Sequence, residues 1–153
     1  MARSVRLSDD EAWAVLEQSH TGIFTSLRRD GWPISLPVWF VALDRRVYVS
    51  GPARTRKIAR VRHDERAAFL VESGEGWAEL VGVSLTGRAR VVTEPVLLAR
   101  VAAALDAKYR EYRTKRADMP DETRARYEVE AATIELVPDA RILSWDNSRL
   151  DLA

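Results

Sequence analysis

The chain has 153 residues, 46% of them hydrophobic and 31% charged, with a formal net charge of +1, the make-up of one globular domain around one core. The absence of cysteine excludes disulfides, thiol nucleophiles and cysteine metal sites, and His20 and His63 alone make a histidine-rich metal centre or a His-dependent triad unpromising. The near-neutral balance argues against a general nucleic-acid binder, and no apolar run approaches the roughly 18 residues of a membrane span.

In chain order, "LSDDEAWAVLEQSH" predicts a helix from about Asp9 to Gln18, with Ser8 as N-cap, Glu11 at the capping-box position and Ala12, Trp13 and Leu16 at helical spacing. The acidic Asp9, Asp10 and Glu11 arrive before any apolar signal region, so a soluble, cytoplasmic chain with neither a nucleic-acid nor a membrane partner is expected. "TGIFTSLRRDGWPISLPVWFVAL" alternates on both sides of Asp30-Gly31, the pattern of a hairpin. "RRVYVSG" is a further strand after a turn at Asp44, and a short helix is expected at about Arg54 to His63. "AAFLVES" and "WAELVGVSLTGRARVV" read as strands. "EPVLLARVAAALDAKYREYR" places Pro95 near the start of a second long helix, with Leu98, Val101, Leu105, Tyr109 and Tyr112 on one face. "ATIELVPDARILSWDNSRL" returns to strands. Many strands on short turns with helices at the margins predict one α+β or mainly β domain over residues 1–153, an antiparallel barrel-like sheet.

The segment most suggestive of chemistry is "GPARTRKIARVRHDERAAFLV", residues 51–71, where a Gly-Pro turn is followed by Arg54, Arg56, Lys57, Arg60 and Arg62. A charge run of this kind is commonly a solvated helix face. Its place at a strand-to-helix junction supports the other reading, in which first-turn amides and basic side chains converge on a phosphate. The spacing is neither that of a Walker loop nor that of a dinucleotide fingerprint. Trp13 and Tyr109 are assigned to the core, Trp39 to either the core or a ligand wall, and the two histidines to ordinary surface or boundary positions. No acid/base dyad stands out: Asp9 and Asp10 belong to a helix start, Glu72 and Glu75 to a turn. No catalytic side chain and no metal ligand is assigned.

Taken together, "LPVWF", "VYVSG", "TRKIARVRHDERAAFLV", "GW", "LTGRARVV" and "LSWDNSRL" resemble the flavin and deazaflavin oxidoreductases of the pyridoxamine 5'-phosphate oxidase-like split β-barrel superfamily, over nearly the whole chain. The resemblance implies that Thr55, Arg56 and Lys57 hold a cofactor phosphate, with Ser50 on the strand before them. It places the cofactor ring against Pro37, Val38 and Trp39. It further implies a homodimer with the cofactor at the subunit interface, Trp145 reaching over the neighbouring subunit's cofactor and Arg149 beyond it. The lysine, the Asp64 to Ala67 run and the Gly76-Trp77 pair are closest to the short deazaflavin-binding branch. One departure stands out: the oxidase proper carries an arginine and a lysine on the strand before the phosphate loop, where this chain has "ISLPVWF", which argues against pyridoxal phosphate synthesis.

The expected activity is therefore a reductase that passes hydride from coenzyme F420 to a small organic acceptor. Arg54, Arg60 and Arg62 would meet the anionic tail beyond the phosphate. Arginine-rich composition, with only Lys57, Lys108 and Lys115 as lysines, leans on GC-rich codons and suits an actinobacterial source, where F420 is common. FMN is the alternative cofactor. A non-catalytic flavin- or haem-binding protein on the same barrel is the alternative function, haem requiring an axial ligand from only two histidines.

Overall fold

Ser8 starts the first helix as its spacing predicts. The computed structural model describes residues 4–150. In it the Ser8 hydroxyl accepts the Glu11 amide at 3.3 Å while the Glu11 carboxylate accepts the Ser8 amide at 2.8 Å, a reciprocal cap. The helix α1 runs Asp9–Gln18. After it come β1 (Gly22–Leu27), β2 (Pro33–Val38), β3 (Val41–Leu43), β4 (Arg46–Pro52), α2 (Arg56–His63), β5 (Arg66–Ser73) and β6 (Val81–Val91). The chain continues through α3 (Pro95–Tyr109), α4 (Asp121–Tyr127), β7 (Ala131–Pro138) and β8 (Leu143–Asp146).

The strands form one antiparallel sheet in the order β2-β1-β5-β6-β7-β4-β3, with β8 paired to β6. The two ends of that path, β2 and β3, are consecutive in the chain and separated only by Trp39 and Phe40. A two-residue link holds opposite edges together only if the sheet curls round on itself, so the expected split, barrel-like α+β fold is present. The seam falls at Trp39-Phe40.

Turn chemistry sets the register on either side. Gly31 has φ of 86° in the β1–β2 turn, and Asp44 and Arg45 have φ of 50° and 56° in the two-residue β3–β4 turn, the pair of left-handed residues that such a tight hairpin demands. Along β4 the period of two sends Val47 and Val49 into the barrel interior and Tyr48 outwards. The interior is packed by Phe24, Phe40, Phe69 and Leu85, with Trp13 and Leu16 from α1 and Ile58 and Val61 from α2. Outside, α3 lays Val101, Leu105 and Tyr109 on Val41, Tyr48 and Val92. Also buried is Glu135 on β7, whose carboxylate accepts Tyr48 Oη at 2.8 Å, Arg90 Nε at 2.8 Å and Arg46 Nη1 at 3.3 Å.

Four features differ from the sequence-based expectation. The run from Pro33 to Leu43 breaks into two strands at the seam, where α3 takes up the backbone groups of Phe40. Trp77–Glu79 is a single 3₁₀ turn, so β6 begins only at Val81. The second long helix ends at Tyr109 and gives way to a 3₁₀ turn, and α4 forms in a stretch with no predicted element. Among the described residues no helix is long and apolar enough to cross a membrane.

Candidate functional site

Lys57 is shared by two clefts. The first, of about 660 Å³, lies between the β1–β2 hairpin and the outer face of α2 and is lined by Arg28, Arg29, Arg56, Lys57, Arg60 and His63 over a floor that includes Leu27, Ile34 and Leu36. It is a basic groove. The second, of about 790 Å³, is walled by Pro37, Val38 and Trp39, by Ser50, Gly51 and Pro52 at the end of β4, and by the α3–β7 connection. We call it the ring cleft, for its aromatic wall.

The junction of the clefts is built around the start of α2. Thr55 is its N-cap, with φ of −71° and ψ of 152°, yet its side chain caps nothing. Thr55 Oγ1 and Arg60 Nη2 are both buried and have no hydrogen-bond partner, although Arg60 Nε donates to Ser26 Oγ at 2.9 Å. Buried polar atoms are nearly always satisfied, so two unpartnered ones on adjacent turns of one helix are free to meet a ligand. The first-turn amides of α2 also lack intrahelical acceptors. Gly51 borders the cradle: the Lys57 ammonium lies over the β4 backbone there, 2.8 Å from where a Cβ would stand.

Charge points the same way. Burial first, then the neighbouring Arg60, holds the Lys57 ammonium below its usual range, and burial and Arg56 do the same for Arg60. Among the described residues no carboxylate pairs with Arg56, Lys57 or Arg60. An oxyanion would relieve both the desolvation and the repulsion. Thr55, Arg56, Lys57 and Arg60 thus fit a phosphate group.

The aromatic wall is held from α3. Trp39 stacks on Tyr109 with ring centroids 4.5 Å apart and planes within 3°. The Tyr109 hydroxyl accepts the Phe40 amide at 2.9 Å and lies 2.8 Å from the carbonyl oxygens of both His20 and Phe40, to one of which it donates. Lys108 Nζ donates to Ser19 O at 2.6 Å and Phe40 O at 3.0 Å and sits 3.9 Å from the centre of the Phe40 ring; burial lowers its pKa to about 8. Two side chains of one helix therefore replace the ladder bonds that the seam lacks. They leave Trp39 40% exposed, with one face covered by Tyr109.

Residues 8–138 match the family described as pyridoxamine 5'-phosphate oxidase. The chain belongs to the pyridoxamine 5'-phosphate oxidase family. No curated protein sequence matches it. Among solved structures it is similar to the conserved hypothetical protein Rv2991 of Mycobacterium tuberculosis, at 27% identity over 100% of this chain and 94% of that one, with a TM-score of 0.82. It is also similar to the FAD binding protein of Mycobacterium smegmatis, at 19% identity over 90% of this chain and 95% of that one, with a TM-score of 0.63. A haem binding protein of Mycobacterium smegmatis is similar at 21% identity over 95% of this chain and 60% of that one, with a TM-score of 0.65.

In this member of the pyridoxamine 5'-phosphate oxidase family, the structure brings together Thr55, Arg56, Lys57 and Arg60 around the start of α2, and Pro37, Val38, Trp39 and Ser50 along the ring cleft. Ser50 Oγ is itself tied to Thr133 Oγ1 at 2.8 Å. Other expected site residues lie elsewhere. Arg54 is exposed and lines neither cleft, as is Arg62. Trp145, on β8, packs its ring over Gly82 of the same chain. Arg149 is already paired with Glu11 at 2.6 Å and Asp146 at 3.4 Å. Tyr109, expected in the core, also backs the cleft wall, and no sequence motif points to Ser26, which pairs with Arg60, or to Arg113, Arg116 and Tyr127 on that wall. Arg113 and Arg116 sit in "YRTKRADMP", a basic and aromatic run that was the one available signal for that wall.

Proposed function

We propose that this chain is an oxidoreductase that holds coenzyme F420 across the junction of the two clefts and reduces a small organic acceptor, working as a homodimer in the cytoplasm. The observation that carries the reading is the pair of unpartnered buried atoms, Thr55 Oγ1 and Arg60 Nη2, beside a desolvated Lys57. Together with the α2 amides they make a phosphate cradle. When bound, a flavin or deazaflavin ring supplies the hydride chemistry itself. The chain's part is to neutralise the phosphate with Arg56, Lys57 and Arg60, to present the backbone of Pro37 and Val38 as a flat wall, and to exclude water with Trp39.

The groove supports F420 over FMN. Beyond the cradle the groove continues to Arg29 and to Arg28, the latter paired with Asp30, and F420 has an anionic tail to place there whereas FMN ends at its phosphate. The FAD binding relative supports a flavin-type ring in general. The haem binding relative supports a second reading; among the described residues no histidine lines the ring cleft, and His20 stands edge-on to Trp39 and Tyr112 of its wall.

Parallel titration with F420, FMN, FAD and haem tests the proposal. F420 is expected to bind tightest, with an affinity that falls steeply as salt rises, because exposed charge pairs are screened within about 10 Å at 0.1 M ionic strength. FMN should show the shallower dependence. A protein that keeps FMN through gel filtration, ignores F420 and releases peroxide in air would transfer the proposal to FMN, and one that takes up only haem would end it.

A further inference from the structure

The ring cleft has a wall that the cofactor reading leaves unused. It comes from the α3–β7 connection, residues 110–130, which contributes Tyr112, Arg113, Arg116 and Tyr127. No residue lining the cleft carries a carboxylate, and its charged residues are Lys57, Arg113 and Arg116. Lys57 belongs to the phosphate cradle on the opposite side of the sequence, in α2. The two arginines have no such assignment.

They are also poorly paired, in a chain that pairs many of its arginines closely. Arg88, Arg90, Arg100 and Arg110 each have a carboxylate oxygen within 2.9 Å. Arg113 reaches Asp106 only at 3.8 Å, and Asp106 is already taken by Arg110 at 2.7 Å. Arg116 forms no ion pair among the described residues. Beside them stand flat surfaces: Trp39 on Tyr109, and the rings of Tyr112 and Tyr127. Aromatic walls take a planar, conjugated body, and a guanidinium offers two parallel N–H donors to a carboxylate.

We propose that Arg113 and Arg116 select the acceptor, which is a planar conjugated molecule bearing a carboxylate. The inference rests on the ring cleft as the place of reduction, as argued above. It adds the charge and shape of what is reduced.

Calorimetric titration with 2-naphthoate and its neutral isostere 2-naphthamide reads this without turnover, on the protein both cofactor-free and saturated with F420. The parent should bind 2-naphthoate about tenfold more tightly than 2-naphthamide, the scale of one charge-assisted contact. The double variant R113Q/R116Q should lose that preference to within about twofold, a difference of a few tenths of a kcal/mol, while its melting temperature and F420 affinity stay at parental values. Equal affinity for the two probes in the parent overturns the inference, and so does a preference that survives in the variant. A parallel fall in F420 affinity also overturns it, since it would place the arginines on the cofactor. If F420 fails to bind the parent but the preference and its loss persist, the proposed cofactor is wrong and the acceptor class stands.

Discussion

Lys57 has opposite consequences for folding and for anion binding. Its folded pKa lies below the ordinary 10.5 because burial and Arg60 disfavour the charged form. The unfolded chain therefore binds this proton more tightly, and stability rises with pH through the window just below 10.5. At neutral pH the buried ammonium works against the fold until an anion meets it. Lys57→Ala should accordingly leave the cofactor-free melting temperature unchanged or slightly higher, yet weaken binding of a phosphate-bearing cofactor by about 1.5 to 3 kcal/mol, the scale of a charged hydrogen bond. Melting curves with and without cofactor check both halves, and an unchanged affinity would remove Lys57 from the site. The proposed cradle stands out in the sequence because its hydroxyl, arginine and lysine are adjacent and follow a Gly-Pro turn. Ser26 and Arg116 do not, since they meet the site only through folding and belong to no local pattern. That the Trp145 ring lies on Gly82 and that Arg54 is exposed are likewise set by the fold and by no local pattern.

At the scale of elements, Glu135 ties three strands together. Burial alone would raise its pKa, but hydrogen bonds from Tyr48 and Arg90 and the charge of Arg90 outweigh it and hold the carboxyl below the ordinary 4.5. Burial, helped by the same contact, pushes the Tyr48 phenol up to about 12. A depressed folded pKa gives stability that is present above about 4.5 and is lost as pH falls through the folded value. Glu135→Gln should lower stability at pH 7 by about 1.5 to 3 kcal/mol, and urea titrations should show the gap to the parent closing as the medium is acidified below pH 4.5. A gap independent of pH would assign the loss to packing. Helices and strands with a local cause were readable in advance: Ser8 and Glu11 for α1, Asp30-Gly31 for the first hairpin, Pro95 for α3. The division of β2 from β3 was not, because Trp39 and Phe40 are good strand residues and the reason they break the ladder is 69 residues away, in Tyr109.

At the scale of the whole molecule, the hairpin at one end of the sheet is unusually bare. In β2 only Val38 is buried, and Trp32, Leu36 and Trp39 along the same hairpin and seam are 68%, 37% and 40% exposed. An apolar edge strand with no neighbour invites pairing or burial. The proposed homodimer should cover it, burying more than about 1,000 Å² in a two-fold interface. Light scattering at micromolar concentration decides the point, a monomer counting against both the dimer and a cofactor site shared between subunits. The seam of the barrel has a further consequence, for amide exchange. The Phe40 N–H is shielded by a side-chain hydroxyl of α3 and by no strand partner, so its deuterium uptake is governed by the undocking of one helix, while amides in the β5–β6 ladder open only with the barrel. A molecule seated against Trp39 and Tyr109 holds that helix down. Slowed exchange at this single amide would then register occupancy of the cleft before any chemistry takes place.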